Sequence, residues 1–214
     1  MGFQPASVAG GWAPGNVPIK ALPGTGSWLP KKGDLVLQVH YYRTGFEERD
    51  RTRIGVYFSK HKSPIPTRSG VVINREFEIP SGDENHEVRA NLEVEKAVYA
   101  FAVTPHMHLL GRTMVVTATL PDATQIPLVK IDDWDFNWQI SYHFSDLIHL
   151  PAGSRLDLVA TFNNSPENPN NPHTPPQPVG WGEKTTDEMC IAFVDWLRAS
   201  EYDKLRNRSP TKTD

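Results

Sequence analysis

The chain has a single cysteine, Cys190, in 214 residues, so no intramolecular disulfide can staple it. It has no run of basic residues, and its formal charge is −3, which excludes the electrostatic footprint of a nucleic-acid-binding surface. No apolar stretch reaches the length of a membrane span. The opening residues, MGFQPASVAGGWAPG, carry neither a basic n-region nor an apolar h-region, so they do not read as a signal peptide. Met1-Gly2 does not make a myristoylation signal either, because position six is Ala6 rather than serine or threonine. Helix signals are scarce and there is no internal repeat. Apolar residues make up 38% of the chain, a low share that still permits a sizeable core.

What is present is a series of short alternating runs bounded by Gly, Pro, Asn or Asp. They are Asp34–Tyr41, Arg53–Phe58, Gly70–Ile79, Glu87–Leu92, Lys96–Thr104, Arg112–Leu120, Phe136–His143 and Arg155–Phe162. This pattern predicts an all-β fold, an antiparallel jelly-roll-like β-sandwich. Pro151-Ala152-Gly153 predicts a turn ahead of the last run. Trp134, Phe136, Trp138 and Tyr142 fall at even spacing, which would place four rings on one face of a strand, as sheet core. Two segments break the pattern. Residues 163–178 (NNSPENPNNPHTPPQP) are too rich in Asn and Pro for regular structure, and read either as a solvated loop or as a border to a site. The tail 198–214 is polar and reads as beginning with a helical turn and then fraying.

The chemistry gathers at His106-Met107-His108. Lys96 to Thr104 reads as a strand leading into them, and residues i and i+2 of a strand share a face, so the two imidazoles can approach one metal ion. The bland alternative is a packed or surface pair. Met189, in Asp187-Glu188-Met189-Cys190, would be a soft third ligand, and softness selects copper, especially Cu(I). Its own alternative is a core methionine filling a gap. Asp187 or Glu188 could instead complete a His-His-carboxylate set for zinc or iron. His86, His143, His149, His173 and His61 have weaker claims and read as surface, core or loop residues. Cys190 would face away from Met189, as a buried thiol.

Three stretches, TPHMHLLGRTM (104–114), DDWDFNWQ (132–139) and TDEMC (186–190), occur in that order. Together they resemble the copper type II, ascorbate-dependent monooxygenases, the family of peptidylglycine α-hydroxylating and dopamine β-monooxygenases. The resemblance covers residues 72–197 as the C-terminal catalytic domain. It extends upstream, where LVLQVHY (35–41) is similar to the strand of the first domain that ends in a copper-binding histidine, here His40, with Gln38 nearby. Residues 1–66 then correspond to part of that first domain, a partial second β-domain, with Ser63 to Thr67 as linker. Half a sandwich cannot close its own core, so this part would pack on the second domain, pair with another chain, or belong to a longer polypeptide.

The resemblance implies a copper on His106, His108 and Met189 that binds dioxygen, with ascorbate as reductant and a C–H bond hydroxylated. A second copper would need His40 together with an adjacent His-His pair. This sequence has no such dipeptide and no histidine in residues 1–39. One copper is therefore expected, a second only if ligands come from elsewhere. The substrate, small molecule or peptide, stays open. The arginine that holds a peptide carboxylate in the family stands here as Thr104, and its asparagine partner as Ile191, so a glycine-extended peptide does not fit. The competing reading is a copper-binding or interaction module without turnover. The family implies an extracytoplasmic compartment, periplasmic or secreted.

Overall fold

The computed structural model describes residues 10–13, 15–17, 21–39, 41, 45–60 and 64–206. In chain order the strands are β1 (Thr25–Gly26), β2 (Ile65–Pro66), β3 (Arg68–Asn74), β4 (Glu78–Ile79), β5 (His86–Val94), β6 (Val98–His106), β7 (Gly111–Thr119), β8 (Gln125–Ile131), β9 (Tyr142–Leu150), β10 (Ser154–Phe162), β11 (Val179–Gly180) and β12 (Cys190–Arg198). One helix, α1 (Ala199–Arg206), follows. Two four-stranded antiparallel sheets carry the fold, in the orders β5-β10-β7-β8 and β3-β12-β6-β9. Their inner faces meet in one core, so the all-β sandwich expected from the alternation is the fold that forms.

The alternation does the sorting. On β10 the residues Leu156, Leu158, Ala160 and Phe162 are buried, and on β7 Met114, Val116 and Ala118 lie beside them. From the other sheet Val72, Ala100, Val103, Ala192 and Val194 complete the core. The turn at Pro151–Gly153 forms as expected: Gly153 sits at φ +84°, a conformation that favours glycine, and its N–H donates to Val94 O at 2.8 Å.

Irregularities in β12 and β6 decide which residues face outward. The β12–β6 register shifts between Asp195 and Trp196, and the β6–β9 register shifts between Ala100 and Ala102. Ala100 and Trp196 belong to the inner core, whereas Ala102 packs with Ile65, Phe101 and Leu197 on the outer side. Beyond the shift, Cys190, Ala192 and Val194 point inward, so Ile191, Phe193 and Asp195 point outward by the period of two. Ile191 pairs with His106, which puts His106 on the same outer face.

Several expectations need correction. Residues 34–39 and 41, and residues 53–58, form no strand, and Leu35, Leu37, Tyr41, Ile54, Tyr57 and Phe58 are exposed. Alternation gives a segment a face, but a strand also needs a partner edge to take its N–H and C=O groups, and none is beside these residues among those described. The run Phe136–His143 is a turn and irregular chain up to Ile140 and Ser141, and the strand starts at Tyr142. The four rings accordingly do not share a face: Trp134 is 8% exposed and Trp138 56%. The strands β8 and β12 and the far half of β9 had no sequence expectation. CIAFVDWLR lacks clean alternation because it is a central strand covered on much of both faces.

Residues 163–178 form a built loop. The buried Asn164 side-chain amide donates to Ile79 O, Pro80 O and Gln177 O, and its Oδ1 accepts from Asn171 Nδ2 at 2.9 Å. The asparagines that ruled out a strand here supply the loop's hydrogen bonds. The tail begins as more than a turn, since α1 is eight residues long and Arg68 grips Glu201 through two bonds of 2.7 and 3.0 Å.

Candidate metal centre

His106 closes β6, and the chain then crosses from one sheet to the other through residues 107–110 to begin β7. The two imidazoles, separated by one residue, have ring centroids 5.1 Å apart and stand nearly perpendicular at 84°. Each has one nitrogen already engaged. Gln139 Nε2 donates to Phe136 O at 2.7 Å, which turns Gln139 Oε1 towards His106, and His106 Nδ1–H donates to it at 2.6 Å. His108 Nδ1–H donates to the backbone carbonyl of Asp187 at 2.9 Å. A carbonyl oxygen only accepts, so both rings carry their proton on Nδ1 and their lone pair on Nε2. Outer hydrogen bonds of this kind orient metal-binding histidines.

Burial lowers the His106 pKa from 6.5 to about 4; the neighbouring His108 lowers it further and the Gln139 bond opposes. His106 is therefore neutral at physiological pH. A stability consequence follows for the metal-free protein. The folded-state pKa lies below the unfolded one, so this stabilisation is fully present above pH 6.5 and is lost as pH falls towards 4. The expected loss is at most about 3 kcal/mol. In thermal melts between pH 7 and 4 the wild type should lose stability towards acid pH that His106→Gln keeps; parallel curves would contradict it.

Met189 reaches this place through Glu188. The Glu188 carboxylate is fully buried and accepts from His108 N at 2.8 Å, Leu110 N at 2.6 Å and Met189 N at 3.1 Å, with the Gly111 amide as a fourth donor. His108 N and Met189 N bond the same oxygen, so residues some eighty apart in sequence are clasped together. Burial pushes the Glu188 carboxyl up to about 8, against the pull of its four N–H donors. Glu188 itself is fixed by bonds from its N–H to Gly180 O and from Gly182 N–H to its carbonyl.

The sequence singled out the stretch 132–139 without giving its residues a role at the site. Gln139 holds His106, and Trp134 Nε1–H donates to His108 O at 3.0 Å. Gly111 belongs to the same device: a Cβ there would lie 2.8 Å from Trp134 Cδ1 and 2.9 Å from Met107 Cβ. The signal for both was their place inside a quoted motif; periodicity marked Trp134 only as sheet core and did not mark Gln139 at all.

The carboxylates of the His-His-carboxylate alternative already have partners. Both Glu188 oxygens are taken by backbone amides, and Asp187 Oδ2 accepts from Lys184 N at 3.2 Å. Among the described residues no three of His, Cys, Asp and Glu come together as a metal-holding group. The two imidazoles stand together here, and the Glu188 carboxylate ties the Met189 backbone to that of His108.

The remaining candidates lie apart. His143 stacks on Phe101 at 6.4 Å and His149 on Tyr99 at 5.0 Å, both on exposed positions of β9. His86 pairs with Asp83 at 3.2 Å, and His173 sits in the asparagine loop. Cys190 points into the core, and burial pushes its thiol up to about 12. His40 and His61 lie outside the described residues. Thr104 bonds Ser141 at 2.6 Å, and Ile191 is buried beside His106.

A β-sandwich that sets two oriented imidazoles, and the backbone of a methionine, at the crossover between its sheets defines a class of candidate metalloprotein. The chain belongs to the copper type II ascorbate-dependent monooxygenase family, whose C-terminal domain it matches over residues 70–212. No curated protein matches it. Among solved structures it is similar to that of infectious bursal disease virus, Gx strain, at 9% identity and a TM-score of 0.27, over 70% of this chain and 39% of that one. Among the described residues no helix is long and apolar enough to cross a membrane.

Proposed function

We propose that this chain is the dioxygen-binding part of a copper-dependent, ascorbate-linked monooxygenase that hydroxylates a C–H bond, with one copper held by His106, His108 and Met189. The observation that carries the reading is the pair of Nδ1–H bonds, to Gln139 Oε1 at 2.6 Å and to Asp187 O at 2.9 Å, which leave both imidazole lone pairs on Nε2. Copper bound there would supply dioxygen binding and electron transfer, with ascorbate as the family's reductant. The chain's own residues do the positioning. Gln139 and the Asp187 carbonyl fix the rings, Glu188 brings the Met189 backbone alongside, and Trp134 holds the crossover in place. The substrate remains a small molecule or peptide other than a glycine-extended one. Membership of this family supports a location outside the cytoplasm, periplasmic or secreted.

A copper-binding module without turnover is the second reading. Its support is that His40 has no adjacent histidine pair, and that its neighbours 34–39 form no strand that would hold a ligand rigidly. Under either reading copper binds at a stoichiometry near one. Met189→Leu should weaken Cu(I) at least about tenfold while changing Zn(II) little, since only the thioether is soft. Competition titrations with a Cu(I) chelator measure this. Equal Cu(I) affinity in the two proteins would remove Met189 from the site, and two coppers per chain, the second lost in His40→Ala, would restore the complete two-copper enzyme.

A further inference from the structure

The outer face of the sheet that bears His106 can be read as a grid. Ile73, Ile191 and His106 form one row across β3, β12 and β6; Val71, Phe193 and Thr104 form the next. Asn74, the last residue of β3, pairs with Cys190, the first of β12, so Arg75 follows directly after this end of the grid, two residues beyond Ile73. Neighbouring strands are about 5 Å apart and each residue adds about 3.3 Å, so the Arg75 backbone, two strands across and two residues along, stands roughly 12 Å from that of His106.

Arg75 is unlike most of the other arginines of the sandwich. Arg68, Arg89 and Arg155 are each spent on a carboxylate, and Arg112 on Glu84 O and Asn85 Oδ1. Among the described residues Arg75 makes no ion pair; its guanidinium instead lies 5.5 Å from the centroid of the Trp181 ring. Stacking on an indole holds the planar group in one place and leaves its N–H fork available to an anion. The surface next to it is apolar: Val71 is 39% exposed, and Ile73 and Phe193 are half-buried.

Building on the copper reading, we propose that Arg75 receives the carboxylate of an apolar organic acid whose hydrocarbon body lies over Ile73, Val71 and Phe193 beside His106. Charge complementarity and the uncovered apolar rows select that occupant. A cationic substrate would meet the guanidinium head-on, and a neutral one would gain nothing from it.

Octanoate, 1-octanol and octylamine are the probes, titrated calorimetrically into the full chain, both metal-free and copper-loaded. Octanoate should bind at least about tenfold more tightly than 1-octanol, the worth of one charge-assisted fork. Arg75→Gln should remove that advantage while leaving octanol binding and copper affinity unchanged, and Arg75→Glu should favour octylamine over octanoate. No octanoate binding, equal octanoate binding in wild type and Arg75→Gln, or a wild-type preference for octylamine or octanol would overturn the proposal. The metal-free arm reports on the anchor whether or not copper binds. Failure of copper to bind the wild type, with the octanoate preference intact, would instead overturn the metal reading and leave the anchor standing as an acid-binding surface.

Discussion

Glu188→Ala should unfold the domain or come close to it, with a loss of at least about 4 kcal/mol, because four buried backbone donors lose their shared acceptor and each costs roughly 1–3 kcal/mol when left unpaired. The donors are the amides of His108, Leu110, Gly111 and Met189. They sit at the point where β6 crosses to β7 and where β12 begins, so the loss acts on both sheets at once. Glu188→Gln is no rescue. It keeps one acceptor oxygen but turns an N–H pair towards donors that the second oxygen served. Urea denaturation of the three proteins measures the effect. A loss below about 1 kcal/mol in Glu188→Ala would mean that water replaces the carboxylate, and that the clasp is dispensable.

Copper affinity should fall in a graded series around the same crossover. His106→Ala, which deletes a donor, should cost more than a hundredfold. Gln139→Leu leaves both imidazoles in place but removes the acceptor that orients His106, and should cost about ten- to a hundredfold, the usual range for an outer hydrogen bond to a metal-binding histidine. His149→Ala, whose ring rests on Tyr99, should change nothing. Chelator competition ranks the variants. If Gln139→Leu matched the wild type, the tautomer argument would fail; if His149→Ala matched His106→Ala, the site would have been placed at the wrong end of the sheet.

The sandwich was legible where strands lie half-exposed. On β5, β7 and β10 inward and outward residues alternate cleanly, so period and burial agree. It was illegible where burial is two-sided, as on β12, and misread where alternation had no partner edge, as at 34–41 and 53–58. The site was legible in part for a similar reason. His106 and His108 announce themselves by spacing, whereas Glu188 looked like a rival ligand because a sequence does not reveal that a carboxylate is saturated by amides from a segment eighty residues away. Gln139 lies in a stretch whose aromatic spacing suggested a strand; the turn at 136–137 that breaks the strand also swings the amide under the imidazole.

The clasp at Glu188 reads only main chain. Its four partners are peptide N–H groups, which every residue but proline possesses, so the clasp itself places no demand on which side chains stand at positions 108 and 189. Shape and chemistry are thereby inherited separately. A descendant could exchange His108 or Met189 for other residues and keep the crossover intact, so within this lineage a preserved sandwich is poor testimony to preserved catalysis. The outward-facing side chains are the ones that carry the record of what a given copy does.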